Sequence, residues 1–329
     1  MRIAVLSPAF AVPAVFPGIH EQAMRRMREL GWEPVEYPTT RQPHASPADR
    51  AADIHAAFAD PSVDAVFATI GGNDQITVIP HLDADLIAAH PKQFFGYSDN
   101  TNLHNFLHEL GIPSVYGGST QVHLGSGSGI DDAHLRTLRA ALAGDSIELT
   151  APSWGASVGI SWEDPRSLTE DGPRHAPIPW QWSGPAERVS GRTWGGCIEV
   201  LNQIAIAGRL PEHIDGAVLL LEASEELTPA GRINDIVRAF GERGFLRQAA
   251  GILVAAQPTT NVEGRTLDPD TWRDTVLGTI NHYAPHAVCC FGVPFGHTLP
   301  QLVVPYGGRV TLDGRQQRIW AHYEVTGRC

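Results

Sequence analysis

Cysteine is scarce in this sequence: four in 329 residues, at Cys197, Cys289, Cys290 and Cys329. So low a count excludes a disulfide-stapled fold, and without a C-x-x-C spacing there is no zinc-ribbon or thioredoxin-type motif. The thiols read as buried or inert groups of a reducing compartment. Long apolar runs are also missing. No stretch reaches 18 apolar residues, so no segment is expected to span a membrane. The N-terminal MRIAVLSPAFAVPAVF is apolar, but Ser7, Pro8 and Pro13 interrupt it. It reads as a first β-strand rather than a signal peptide, which points to a cytoplasmic protein. No Lys/Arg run occurs, and 36 acidic against 24 basic residues leave a net charge of −12. Such a surface repels phosphate backbones and disfavours nucleic-acid partners. Charged residues make up only 18% and apolar residues 43%, which excludes wholesale disorder and suffices for two cores. No internal repeat is visible.

The first part of the chain, residues 1–150, alternates strands and helices. RIAVLSP, DAVFATI (64–70), KQFFG (92–96) and PSVYGG (113–118) read as strands. Helices are expected over 20–30, 46–60, 99–110 and the DDAHLRTLRAALAG stretch. Ser46 is a candidate N-cap with Pro47 at the first helical position. This alternation predicts an α/β fold with a parallel sheet. Residues 151–195 change texture. They hold five of the eight Trp (Trp154, Trp162, Trp180, Trp182 and Trp194) and are rich in Pro, Gly and Ser, so they read as a linker and long functional loop. Residues 196–329 form a second α/β domain. Its strands are GAVLLLE (216–222), AGILVAA (250–256) and HAVCCFG (286–292), and its tail reads as short antiparallel strands turning at Gly307-Gly308 and Asp313-Gly314.

Ligands of open α/β sheets sit beyond the carboxyl ends of the strands, and four polar groups fall there. Ser98 follows FFGY and opens a helix. A serine at a sharp strand-to-helix turn presents its oxygen beside free backbone N–H groups, which suits a nucleophile. Asn100 replaces the second glycine of a G-x-S-x-G elbow, and an ordinary helix N-cap is the alternative. Gly71-Gly72 could supply half of an oxyanion hole, with the N–H of Asp99 as the other half, or be a plain turn. Glu222 ends the apolar run AVLLL and needs a partner, either a catalytic histidine or an ordinary salt bridge. His297 sits in the Gly- and Pro-bounded turn VPFGHTLP, suited to a general base. His104 and His108 lie four apart on a helix, but with no third ligand in view no metal is expected. GSGSGI (125–130) lacks the P-loop lysine and the full dinucleotide spacing, and no fingerprint follows the first strand. A nucleotide-dependent oxidoreductase is therefore disfavoured. The tryptophans could stack a flat base or pack the loop.

Together, FFGYSDNTNLHNFLHELGIPSVYGGS, TIGGNDQITVIPHLDADLI, SGRTWGGCIEVL, LLLEASEE and GVPFGHTLPQLVVPYGGRVTLD resemble the LD-carboxypeptidase family of serine peptidases. The resemblance is to its microcin C immunity (MccF-like) branch, and it spans nearly the whole chain with the blocks in family order. It implies a Ser-Glu-His triad with Ser98 as nucleophile, Glu222 orienting the base and His297 as the base. It also implies an oxyanion hole from the N–H groups of Gly72 and Asp99, and no cofactor. The implied fold is an N-terminal flavodoxin-like parallel-sheet domain plus a C-terminal α/β domain with a small β-barrel-like part, with the site between them, in a homodimer. One branch trims murein tetrapeptides. The other cuts the amide joining a peptidyl or aminoacyl group to a nucleotide-like toxin, where a loop tryptophan stacks on the adenine. Trp180 and Trp182 lie at about the corresponding place. The expected function is therefore hydrolysis of microcin C-type conjugates for self-immunity or detoxification. A murein LD-carboxypeptidase and a non-catalytic ligand-binding homologue are the alternatives. Gln257-Pro258-Thr259 departs from the family pattern, which usually has a Gly and a basic residue there.

Overall fold

The computed structural model describes residues 1–325; Cys329 lies outside the described residues. The chain opens with β1 (Arg2–Leu6), α1 (Pro17–Glu29), β2 (Glu33–Glu36), α2 (Pro47–Ala59) and β3 (Ala65–Ala68). It continues with α3 (Ala84–Ala89), β4 (Gln93–Gly96), α4 (Thr101–Glu109), β5 (Ser114–Tyr116) and α5 (Asp132–Ala143). These five strands are parallel and lie in the order β2-β1-β3-β4-β5. That is the flavodoxin-like order, with a ligand crevice at the carboxyl ends of the strands. Successive residues of β1 serve opposite faces, as a pleated strand requires. Ile3 and Val5 pack with Met24, Met27 and Leu138 on one side. Ala4 and Leu6 pack with Ile54, Phe58 and Leu103 on the other. Burying each large side chain contributes about 1.5–3 kcal/mol. Local signals bound the helices: the Ser46 hydroxyl opens α2 by accepting from the Asp49 N–H at 3.1 Å, and Gly144 ends α5 in the left-handed conformation.

The second half contributes β6 (Ser146–Leu149), β7 (Gln181–Ser183), β8 (Arg188–Cys197), α6 (Ile198–Ile206), β9 (Val218–Glu222), α7 (Ala230–Glu242) and α8 (Phe245–Gln248). Then come β10 (Gly251–Ala255), α9 (Pro269–Tyr283), β11 (Val288–Val293), β12 (Val304–Tyr306), β13 (Arg309–Asp313) and β14 (Arg318–His322). Eight of these strands form one sheet, β6-β14-β13-β8-β9-β10-β11-β7. Strands β8 to β11 run parallel, and β13, β14 and β6 extend the sheet antiparallel at one flank.

Four features depart from the sequence expectations. Strand β2, EPVE, was not expected; it is a polar edge strand, where Pro34 is tolerated. Strand β8 occupies part of the stretch expected to be a loop. Its RVSGRTWGGC sequence shows no apolar run, yet its last five residues are buried at the centre of the sheet. Trp180 and Trp182 flank and occupy the edge strand β7, where Trp182 pairs with Cys290, rather than a free loop. Finally, β12 does not form a hairpin with β13. It crosses over and pairs antiparallel with β5 in the first sheet. Gly307 N–H donates to Thr193 O at 2.9 Å and Thr193 N–H to Gly308 O at 2.9 Å, so these glycines carry the chain between the sheets.

Candidate active site

Ser98 sits one residue past Tyr97 at the carboxyl end of β4, at the start of a short 3₁₀ turn that leads into α4. Its φ is +63°, a left-handed conformation that costs a non-glycine residue about 1–3 kcal/mol. Surrounding hydrogen bonds hold it there. The Thr101 hydroxyl donates to Ser98 O at 2.7 Å, and Ser98 N–H donates to the Tyr116 hydroxyl at 3.1 Å. Asn100, at the position where an elbow would carry glycine, ties the turn down. Its amide donates to Ile70 O and Tyr97 O and accepts from Gln75 Nε2 at 2.8 Å.

The Gly71-Gly72 loop lies against this turn. A Cβ on Gly71 would fall 2.8 Å from Ser98 Cβ, so only glycine allows the approach. Gly72 instead faces Ala9 and Phe10. A bidentate pair between Arg50 and Asp74, at 2.8 and 3.0 Å, braces the loop. The Asp99 side chain is fully buried and accepts from the Gln75 N–H at 2.8 Å. Burial raises its carboxyl to about 6 despite these donors.

Glu222 ends β9 and is fully buried. Its Oε1 accepts from the Tyr116 hydroxyl at 2.6 Å, and its Oε2 lies 2.6 Å from His297 Nδ1. A carboxylate only accepts, so Nδ1 carries a proton. A Cβ on Gly296 would lie 2.7 Å from Glu222 Oε2, so glycine is required immediately before the histidine. Gln301 fastens this turn to the first sheet: it donates to Gly296 O and accepts from Gly118 N–H, both at 2.9 Å.

A continuous path therefore runs from the Ser98 amide through Tyr116 and Glu222 to His297, across both sheets. Among the described residues no hydrogen bond joins Ser98 to His297. Nε2 of the ring instead lies 3.0 Å from Glu225 Oε2. Burial opposes the charged ring, but Glu222 and Glu225 outweigh it and raise the His297 pKa well above the ordinary histidine value. Partial desolvation opposes the Glu225 charge in turn, but His297 outweighs it and lowers that carboxyl to about 2. Cys197 lies close by, but burial and the Glu222 charge push its thiol well up, so it is no thiolate nucleophile.

Trp180 borders a small cavity with Thr298 and Leu299, just past His297, whereas Trp182 packs against the core from the sheet edge. A larger cavity of about 270 Å³ is lined by His123, Asp131, Trp154, Arg174 and Gln301. It stands one layer from the histidine, since Tyr97 packs on both His123 and His297, with ring centroids 5.5 and 4.9 Å apart. His104 and His108 do not form a shared ligand pair: both His104 nitrogens are engaged, by Ser114 Oγ at 2.7 Å and Gly96 O at 2.8 Å. Both polar atoms of the Gln257 amide are buried without a hydrogen-bond partner among the described residues. Sequence reasoning missed Tyr116 and Glu225. The signals were a tyrosine ending the strand next to the serine strand, and three acids within five residues in EASEE.

The descriptions of two family domains match this chain: the LD-carboxypeptidase N-terminal domain over residues 3–117 and its C-terminal domain over residues 190–312. The microcin C7 self-immunity protein MccF of Escherichia coli is 24% identical over 272 residues, covering 80% of this chain and 75% of that protein. A protein named as a murein peptide carboxypeptidase in Bacillus subtilis is 27% identical over 272 residues, covering 80% and 73%. A solved structure of MccF in complex with glutamyl sulfamoyl guanosine superposes with a TM-score of 0.87 at 18% identity, covering 99% of this chain and 97% of that one.

Proposed function

The chain belongs to the LD-carboxypeptidase family of serine-type hydrolases, and from that premise we propose that Ser98, His297 and Glu222 are its nucleophile, general base and orienting acid. The Ser98–Tyr116–Glu222–His297 path is the observation that carries this reading. Ser98 Oγ attacks the amide carbonyl while His297 Nε2 takes its proton. The N–H groups of Gly72 and Asp99 hold the oxyanion. The imidazolium, stabilised by Glu222, then gives its proton to the departing amine. Water, deprotonated by the same ring, hydrolyses the acyl-enzyme.

The substrate is a peptidyl- or aminoacyl-nucleotide of the microcin C kind, and the role is self-immunity or detoxification in the cytoplasm of a homodimeric enzyme. Likeness to MccF supports this, as do Trp154, which lines both cavities, and Trp180, which lines the smaller one. Stacking on such a ring contributes about 1–3 kcal/mol per base. Trp180 and Trp182 are the stacking candidates, and Trp180, which lines the cavity past His297, is favoured over Trp182 on the edge strand. A murein tetrapeptide is the second reading, supported by the Bacillus relative. The test is hydrolysis of an aminoacyl-sulfamoyl adenosine beside release of D-Ala from a murein tetrapeptide. Ser98→Ala is expected to fold normally and to abolish the wild-type activity. Undiminished turnover in Ser98→Ala rejects the nucleophile, and faster murein trimming rejects the nucleotide substrate.

A further inference from the structure

Catalysis by His297 requires a free, neutral Nε2, yet here that nitrogen faces Glu225 Oε2 at 3.0 Å. The ring is 4% exposed, whereas the Glu225 side chain is 58% exposed, so this carboxylate stands at the mouth of the site over a buried base. The segment that carries it is anchored on both sides. The hydroxyls of Ser224 and Thr228 each donate to Glu199 Oε1 at 2.9 Å. Leu227 is held with φ +55° and its side chain buried. Among the described residues, Glu225 has no ion-pair partner besides His297, since Arg265 bonds the neighbouring Glu226 carbonyl instead.

We infer that Glu225 is a specificity-determining residue, a carboxylate latch on His297 that the free α-ammonium of an aminoacyl substrate releases by taking the carboxylate for itself. The inference rests on the reading of His297 as the base. Covalent geometry puts an α-nitrogen about 2.5 Å from its own carbonyl carbon. With that carbon about 3–3.5 Å from Ser98 Oγ and His297 Nε2 in reach of the same oxygen, as the proposed mechanism requires, the ammonium comes near the carboxylate that here touches Nε2. Transfer of Glu225 to the ammonium frees Nε2 and removes one of the two negative charges that keep the ring protonated. Glu222 remains, and the other groups facing the ring, Tyr97 and His123, bring no negative charge. A substrate with a neutral group at that carbon, the acylated nitrogen of a peptidyl-nucleotide included, leaves the latch closed, so the latch selects the aminoacyl member of the proposed substrate class.

The test compares an aminoacyl-sulfamoyl adenosine with its α-hydroxy analogue, in wild type and in Glu225→Gln. The wild type is expected to favour the free amine by roughly 10- to 100-fold in kcat/KM, the range of a hydrogen bond to a charged group. Glu225→Gln is expected to lose most of that preference and to shift the acid limb of kcat/KM for the hydroxy analogue to lower pH. Equal preference in both proteins overturns the latch while leaving the hydrolase intact. A second measurement needs no turnover. In Ser98→Ala, imidazole NMR is expected to show the His297 pKa falling when the amine ligand binds and unchanged with the hydroxy ligand. The same pKa with both ligands overturns the proposal.

Discussion

Tyr116→Phe removes a single hydroxyl that joins the two halves of the site. That hydroxyl accepts from Ser98 N–H at 3.1 Å, donates to Glu222 Oε1 at 2.6 Å and lies 3.3 Å from Thr101 Oγ1, all within a fully buried ring environment. A hydrogen bond to a charged group contributes about 1.5–3 kcal/mol, and a buried N–H left unpaired costs about 1–3 kcal/mol. The two losses share one oxygen, so a total destabilisation of about 3 kcal/mol is expected rather than the full sum. The catalytic cost has a separate origin. Ser98 occupies a left-handed backbone conformation that relaxes if its neighbours let go, and Glu222 loses the bond that fixes its carboxylate plane against His297. Losing about 1.4–2.8 kcal/mol of transition-state positioning lowers kcat/KM roughly 10- to 100-fold. Denaturant unfolding measures the first effect, and steady-state hydrolysis far below the melting temperature measures the second. A variant that loses stability yet keeps wild-type kcat/KM refutes the argument, because the hydroxyl would then be a packing element and not part of the path.

Gly71→Ala places a methyl group 2.8 Å from Ser98 Cβ and 3.0 Å from its Oγ. It is expected to cut kcat by 100-fold or more, on the order of 3 kcal/mol, while far-UV circular dichroism stays native; wild-type kcat would show that the serine is not confined by that glycine. Acid sensitivity follows from two buried histidines. Burial lowers His104 and His134 to about 4, below the unfolded value of about 6.5. Each favours the folded state above about pH 6.5, and that contribution is lost as pH falls toward 4, at about 1.4 kcal/mol per pH unit. Asp99, raised to about 6, opposes one of them over the same window. His134→Asn can keep the bond that Nδ1 makes to Gln301 O at 2.8 Å and is expected to flatten the stability slope between pH 6.5 and 4 by about one proton. An unchanged slope in urea titrations would exclude that histidine as a source.

What could be read in the sequence was local. Ser98 stands where an apolar run turns into a helix, Glu222 ends a buried strand and His297 follows one; strand ends are visible wherever β-branched and aromatic residues stop at Gly, Pro or charge. The parallel sheet of the first half follows from the same alternation of elements, whereas its flavodoxin-like order is implied only by the family resemblance. Other features depend on pairing between distant segments. Strand β8 has no apolar run because its glycines make room for a neighbouring strand: a Cβ on Gly195 would lie 2.0 Å from Leu220 O. The crossing of β12 into the first sheet cannot be read from VVPYGG, which equally suits a hairpin. Tyr116 ends its strand like any core aromatic, and only the approach of the second sheet brings Glu222, at the end of β9, to its hydroxyl. Glu225 looks like a solvated charge until the histidine is set beneath it.

The way the two sheets are joined decides how substrate can enter. Strand β12, from the second half, completes the first sheet, and Cys197 N–H donates to Thr101 Oγ1 at 3.2 Å beside the serine turn. Trp194 Nε1 donates to Asn105 Oδ1 at 3.0 Å, Gln301 bridges Gly118 to Gly296, and Tyr116 bridges Ser98 to Glu222. Most of these groups are buried, so pulling the sheets apart would leave them unpaired at about 1–3 kcal/mol each. Four such bonds already bring the cost to several kcal/mol, which keeps an opened form well below one molecule in a thousand. Rigid-body opening is thus a poor route to the serine. The segment 223–228 is different. Its carboxylate at Glu225 is largely in water and touches His297 through one ion pair, so displacing that side chain alone uncovers Nε2 while the Glu199 anchor stays in place. Exposing His297 Nε2 thus needs the movement of one side chain rather than of a hinge.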